Sequence, residues 1–224
     1  ESSTGVKNPL EEICEVIKSN SDALILVDAV SSAAGSIIST DAWGIDVVAT
    51  ASQKSWIAPP GIAMVSFSDK AWKAYGNSKC PKYYYDIDQY KEYLNIGQPP
   101  FTPSLTTMYT LHDSLQKMVT EGMENVFQRH TNIAQFTRDL AKSIGLDILP
   151  DEHHASDTVT AIKLPQDVDG KSLVKEVEKN YGIILGGGQQ KLSGKIVRIG
   201  HMGWINQKDI EDSIVKVIHS YKKS

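Results

Sequence analysis

Apolar positions recur at helical spacing in Leu10, Ile13, Val16 and Ile17, directly behind Pro9, and predict a helix that ends near Asn20. Before it, Glu1 to Asn8 is rich in Ser, Thr and Gly and reads as a loop. The next stretch has a different pattern: Ala23 to Val27 is nearly all apolar, the mark of a strand covered on both faces, so a central strand of a parallel sheet is expected. Small residues from Ala29 to Gly35 allow close approach to the backbone, and Asp41, Trp43 and Gly44 lead through Asp46 into a second apolar run, Val47 to Ala51. In SQKSWIAPPG the paired prolines and glycine force a turn, after which Ile62 to Phe67 predicts a third strand. Helix, strand, connection, strand, strand is α/β organisation.

From Asp69 to Gly97 the chain is aromatic and irregular, and no regular element is predicted. Gln98 to Pro103 (QPPFTP) is punctuation. Beyond it, Leu105, Met108, Leu111, Leu115 and Val119 share one helical face, continued by Val126, Ile133, Phe136 and Leu140 with a break near Gly122. After Gly145 short strands (Thr158 to Leu164, Ile183 to Leu185, Lys195 to Ile199) alternate with helices (Ser172 to Asn180, Gln207 to Tyr221), as in a small α+β domain. The expected organisation is a large domain with its linking helix over residues 1–140 and a small C-terminal domain over 141–224. Since the chain opens without Met in a polar loop, the expectation is the later part of a longer protein, with the N-terminal part of the large domain upstream.

Composition narrows the functions. A formal charge of −4, with lysines scattered among acids, offers no footprint for nucleic acid or anionic lipid. No apolar run approaches the roughly 20 residues of a membrane helix. Two isolated cysteines, Cys14 and Cys80, argue against a Cys-rich zinc or iron–sulfur site and suit a reducing compartment, the cytoplasm or an organelle matrix.

Three residues stand out by position. Asp28 ends the first apolar run, where a carboxylate needs a partner; it either caps the following turn or serves a ligand. Lys54 follows the second run, between Gln53 and the Pro-Pro-Gly turn, and is either a surface lysine or an amine held in a pocket, where desolvation makes it a nucleophile. Ligands in open α/β sheets sit outside the carboxyl ends of the strands, where these two groups would arrive together. Arg198, in a strand before Gly200 and Gly203, reads by itself as one half of a surface ion pair. Gly186 to Gly188 lacks a following helix signal and reads as a turn with close backbone approach, while His153 and His154 read as solvated surface with no metal role.

VDAVSS around Asp28, SQK-x-x-x-x-PPG around Lys54 and RIGHMG around Arg198 resemble the class V, fold type I, pyridoxal-phosphate aminotransferases, most closely the alanine–glyoxylate and serine–glyoxylate (serine–pyruvate) group. The resemblance covers essentially the whole chain. It implies the later part of a mainly parallel-sheet large domain followed by a small α+β domain, with Lys54 as the Schiff-base lysine and Asp28 as partner of the coenzyme's pyridine nitrogen. Gln53 and Thr102 would contact the phosphate, Thr102 from the second subunit of a homodimer with shared sites, and Ser2 would lie near the ring hydroxyl. Arg198 would grip the substrate's α-carboxylate. The implied reaction moves an amino group from a small amino acid, alanine or serine, to a 2-oxo acid such as glyoxylate or pyruvate, and the implied compartment is cytoplasm or a matrix such as the peroxisome's.

The sequence also departs from the family. Pro99 stands where relatives commonly carry tyrosine, and the glycine-rich phosphate loop and ring-stacking aromatic are expected upstream. A cysteine desulfurase or lyase of the same fold usually shows His before the lysine and a thiol on a mobile loop, whereas Gln53 precedes Lys54 here. A non-catalytic subunit is the other alternative, since some relatives are labelled subunits of a soluble hydrogenase; the cysteine count opposes a redox-metal role.

Overall fold

The computed structural model describes residues 2–221. Its first sheet contains β1 (Leu26–Asp28), β2 (Val47–Ala51) and β3 (Ala63–Phe67) in that order. β1 and β2 are parallel, with Leu26 beside Val47 and Asp28 beside Ala49, while β3 returns antiparallel along the whole of β2. α1 (Leu10–Asn20) covers one face, burying Cys14 among Ile25, Ala29, Ile45 and Val48. The expectation of a central strand buried on both faces is corrected. β1 is three residues long and, among the described residues, pairs only with β2; alternation turns Leu26 away from α1, and it is 66% exposed.

A single turn, α2 (Thr40–Trp43), ends at Gly44 in the left-handed region and delivers Asp46 to the start of β2. The buried Asp46 carboxylate accepts the Ile25 N–H (2.9 Å) and the Ser68 hydroxyl (2.6 Å), with the Lys70 amine 3.8 Å away. Burial pushes its pKa up, but these donors and the lysine outweigh it and hold the carboxyl below the usual range. One side chain thus ties together the entries to β1, β2 and the next helix.

The region read as irregular contains two helices, α3 (Asp69–Gly76) and α4 (Ile87–Leu94). Each begins at a capping side chain: Ser68 accepts from the Ala71 N–H and Asp86 from the Asp88 N–H. The Phe101 ring meets Tyr83, Tyr84 and Tyr90, so the QPPFTP segment is fastened to α4.

α5 (Leu105–Glu121) and α6 (Met123–Ser143) are separated at Gly122, with φ +86°, as the sequence predicts. The buried face of α5 differs from the expected one: Thr107, Leu111, Ser114 and Met118 are inside, whereas Leu105, Met108 and Val119 are exposed. Hydrogen bonding explains the exchange. Thr107 shares a bond with Ser104, and Ser114 donates to Ile57 O and Thr110 O, so both hydroxyls are buried with partners.

The second sheet is antiparallel, in the order β4 (Val159–Lys163), β6 (Ile196–Gly200), β5 (Gly186–Gly187). α7 (Gly170–Tyr181) and α8 (Gln207–Tyr221) pack with the C-terminal half of α6 around Ile162, Leu173, Val177, Val197, Ile199 and Ile214. The strand predicted at Ile183 to Leu185 forms instead at Gly186 and Gly187; Ile184 is exposed while Leu185 is buried. Close approach at the glycine run is real, since a Cβ on Gly188 would lie 1.9 Å from the Leu192 carbonyl oxygen. Residues at the start of the chain join this side of the molecule: Val6 bridges Ala155, and the Ser156 N–H donates to Gly5 O. Among the described residues no helix is long and apolar enough to cross a membrane, and no three metal-ligating side chains gather.

Candidate active site

Parallel pairing of β1 with β2 sends both strands to the same sheet end. Asp28 is the last residue of β1, and Lys54 follows the end of β2 by one short turn. The Asp28 Oδ1 accepts the Val30 N–H at 2.9 Å, so the turn-capping reading holds for one oxygen; Oδ2 has no partner among the described residues.

The Lys54 loop is held from within by Ser52. Its N–H donates to Ile62 O, its carbonyl accepts the Ala58 N–H, and its hydroxyl donates to Pro59 O at 2.7 Å. The Trp56 indole donates to the Thr50 hydroxyl (2.9 Å), and the Ile57 N–H closes a turn on Lys54 O (3.1 Å). Ile57 has φ +64°, a costly conformation for a β-branched residue, kept because its neighbours over-determine it. Lys54 is half-buried, and its amine has no hydrogen bond or ion pair among the described residues. Gln53 beside it is exposed.

Arg198, in β6, is half-buried and makes no ion pair among the described residues, against the bare-sequence alternative. Its Nε donates to Gly187 O at 3.0 Å and its Nη1 to Ser2 O at 2.6 Å. The structure therefore brings Ser2 and Arg198 together through the Ser2 main-chain carbonyl. Nη2 and a second Nη1 hydrogen remain for another acceptor. Gly186 makes room, since a Cβ there would stand 3.3 Å from the Arg198 Cβ and 3.4 Å from Nη2.

Gly203, five residues beyond Arg198, lies near the Lys54 turn, since a Cβ on it would be 3.8 Å from Lys54 O. Thr102 is not brought to the other candidates; it is exposed, beside the Phe101 that packs on α4. A cavity of about 440 Å³ next to β1 includes Lys7, Asp28, Ser32, Thr131 and Asp157 in its lining but not Lys54 or Arg198. Asp28 alone among the candidates opens on it.

Sequence reasoning missed the buried polar groups behind the site. His130 is fully buried on α6; its Nδ1–H donates to Val126 O (2.7 Å) and its Nε2 accepts the Gly203 N–H (3.0 Å), an arrangement that requires neutral imidazole. Burial, with Arg129 beside it, lowers its pKa. His201 is also fully buried and shares a 2.8 Å bond with the Thr160 hydroxyl. Burial first, then the charge of Arg138, bring its pKa down to about 4. The Asp157 carboxylate receives Lys7 (2.5 Å) and the Ser36 hydroxyl (3.0 Å). His130 could have been found from its place between Val126 and Ile133 on one helical face; His201 and Asp157 carried no such signal.

Known proteins decide the family. The model of the class-V aminotransferases matches residues 1–211. The chain belongs to that family. This class V chain is 41% identical over 210 residues to the soluble hydrogenase small subunit of Synechococcus sp. (strain PCC 6716), covering 94% of itself and 54% of that protein. It is 36% identical over 210 residues to the serine–glyoxylate aminotransferase of Arabidopsis thaliana, covering 92% and 52%. The structure of the alanine–glyoxylate aminotransferase from Nostoc sp. superposes with a TM-score of 0.94 at 28% identity, over 99% of this chain and 59% of that one. The fold is that of the fold type I transferases. The chain spans about half the length of the curated relatives it matches.

Proposed function

We propose that the protein is a pyridoxal-phosphate-dependent aminotransferase that moves an amino group from a small amino acid, alanine or serine, to a 2-oxo acid such as glyoxylate or pyruvate. The observation that carries this reading is the parallel β1–β2 pairing, which delivers Asp28 and Lys54 to one sheet end in a class V chain. The donor set suits the coenzyme: an amine with no partner among the described residues, a carboxylate oxygen left over by its own turn, and a guanidinium with N–H groups to spare.

Pyridoxal phosphate, when bound, supplies an electron sink for charge developing at the amino acid's α-carbon. Lys54 would hold the coenzyme and, once freed, carry a proton to and from that carbon. Asp28 would keep the pyridine nitrogen protonated, Ser2 would sit near the ring hydroxyl, and Gln53 and Thr102 would serve the phosphate. Arg198 would fix the α-carboxylate by its planar fork, oriented by Gly187 O and Ser2 O. Amino donor and oxo acceptor would use this site in turn, in a two-stage ping-pong cycle. Thr102, exposed and with no tie to the other candidate residues among the described ones, would fit a twofold dimer in which each site draws on both subunits; the exposed tyrosines of residues 83–93 suit such an interface. Two unpaired cysteines suit the cytoplasm or an organelle matrix such as the peroxisome's.

Borohydride reduction of the full-length gene product, followed by peptide mapping, tests the assignment. Coenzyme fixed on Lys54 and absent from Lys54→Ala is expected; a label on another lysine overturns it. The names of the cyanobacterial relatives favour one other reading, a hydrogenase-associated subunit, and a full-length product with no coenzyme absorbance would support that instead. A desulfurase fits less well. Gln53 stands where that group usually shows His, and Cys14 is buried with its thiol pushed up by burial, while Cys80 is exposed in the loop before Pro81.

A further inference from the structure

We propose that Arg129 and His130 are positioning residues for Lys54, acting through the two peptide groups of Gly203; this rests on the reading of Lys54 as the catalytic amine. Consecutive residues of α6 take opposite ends of one glycine. The Arg129 Nη1 donates to Gly203 O at 2.6 Å, and the His130 Nε2 accepts the Gly203 N–H at 3.0 Å.

Each half of the clamp is itself fixed. The guanidinium lies in a two-point pair with Glu121, Nε to Oε1 at 2.7 Å and Nη2 to Oε2 at 3.0 Å, which spans the Gly122 break between α5 and α6. It also stands 5.3 Å from the Trp204 ring centroid. The imidazole is held by its bond to Val126 O, which leaves Nε2 as acceptor.

The clamped glycine stands beside the Lys54 turn. Gly203 has φ +83°, and a Cβ built on it would lie 3.6 Å from the Ile57 Cγ1 and 3.8 Å from Lys54 O, so little more than the width of a methyl group separates it from both ends of the turn. On another side, a Cβ on Gly35 would be 2.6 Å from the Ser55 Oγ and 3.4 Å from the His130 Cδ2. Ser114 of α5 donates to Ile57 O at 2.9 Å. The strained turn is therefore tied to α5 by the Ser114 hydrogen bond and flanked by the Gly203 that α6 holds. Fixing the main chain at Lys54 fixes where its amine starts from, and a displacement of about 1 Å in a reacting group can cost on the order of a hundredfold in rate.

The test uses the full-length gene product and four variants: Arg129→Met, Arg129→Lys, His130→Leu and His130→Gln. Two readouts are taken, the coenzyme half-reaction with amino acid alone and, in coenzyme-free protein, the rate at which the Lys54 amine is methylated by formaldehyde and a mild reductant. Arg129→Met and His130→Leu are expected to slow the half-reaction about tenfold with KM changed less than about twofold, and to change Lys54 methylation by about threefold or more. Arg129→Lys and His130→Gln, which retain a donor and an acceptor, should recover most of both. Unchanged half-reaction and methylation rates in folded Arg129→Met and His130→Leu would overturn the clamp. If those two do not fold, Glu121→Gln decides: a slower half-reaction at unchanged KM supports the proposal, and wild-type rates refute it. Borohydride mapping of the wild type separates the two levels, because a label away from Lys54 overturns the functional reading, whereas a label on Lys54 with insensitive variants overturns the clamp alone.

Discussion

Gly35 sits where three parts of the chain meet, and adding one methyl there gives a sharp test of that junction. A Cβ at Gly35 would fall 2.5 Å from the Thr158 Cγ2 and 2.6 Å from the Ser55 Oγ, both too short for unshifted packing. Neither group is the end of a long side chain that could swing aside, and both residues are buried. Overpacking of this kind costs about 1–3 kcal/mol, while the Gly-to-Ala change returns about 0.4–1 kcal/mol by restricting the unfolded chain. The net expectation for Gly35→Ala is a loss of about 1–2 kcal/mol. Urea unfolding of the full-length gene product would measure it. The decisive result is the recovery pattern. The Ser55 hydroxyl is buried with no hydrogen-bond partner among the described residues, so Ser55→Ala alone should cost little, and combined with Gly35→Ala it should restore part of the loss. Thr158→Ser keeps the hydroxyl that shares a bond with Ser156 but removes Cγ2, and should also couple favourably. Effects that simply add, within about 0.5 kcal/mol, would refute the packing described for this junction.

Two further predictions concern charge. Arg198→Lys should lower kcat/KM for the amino acid by about tenfold or more, equivalent to about 1.4 kcal/mol, with coenzyme affinity nearly unchanged, because an ammonium cannot donate to Gly187 O, Ser2 O and a substrate carboxylate in one plane; steady-state kinetics with coenzyme titration would check it, and an unchanged kcat/KM removes Arg198 from the site. His201 is neutral when folded, with a pKa near 4 against about 6.5 when unfolded, so stability is full above pH 6.5 and falls as pH drops toward 4, by about 3 kcal/mol from this residue. Urea unfolding of wild type and His201→Gln between pH 7 and pH 4.5 should show the wild type losing more, and a gap independent of pH would show that His201 does not titrate this way.

Much of the fold could be read from the sequence because it rests on local signals. The apolar run Val47 to Ala51 became β2, and Gly122 broke the long helical pattern where glycine was expected to do so. The failures have physical causes. α3 and α4 are eight-residue helices whose starts depend on single side chains, Ser68 and Asp86, and an aromatic composition hides them. On α5 the period was right but the face was wrong, because Thr107 and Ser114 bury their hydroxyls against specific acceptors while Leu105, Met108 and Val119 stay outside. At the site, Asp28 and Lys54 were legible as polar residues ending apolar strands. The links among them were not, since Gly203, His130 and Ser2 act through peptide groups or through contacts that only the assembled chain creates.

Those links all lead to one region, between β4 and the N-terminal half of α6. The strip carrying Ser2 is anchored there by the Val6–Ala155 bridge and by Lys7 on Asp157, and the loop beyond Asp28 is anchored there by Ser36 on the same carboxylate. The Lys54 turn reaches it through Gly203 and His130, and Arg198 belongs to β6, which pairs with β4. Buried charged and polar groups are a poor source of net stability, and breaking one partner away from such a group is costly. Their concentration here makes sense as a device of register. Asp157 accepts Lys7 and Ser36 only if the strip and the loop arrive in one alignment, and His130 accepts Gly203 only in one tautomer. The strip carrying Ser2, the loop beyond Asp28 and the strand carrying Arg198 are thereby referred to β4 and the residues just before it, while α6 holds Gly203 beside the Lys54 turn.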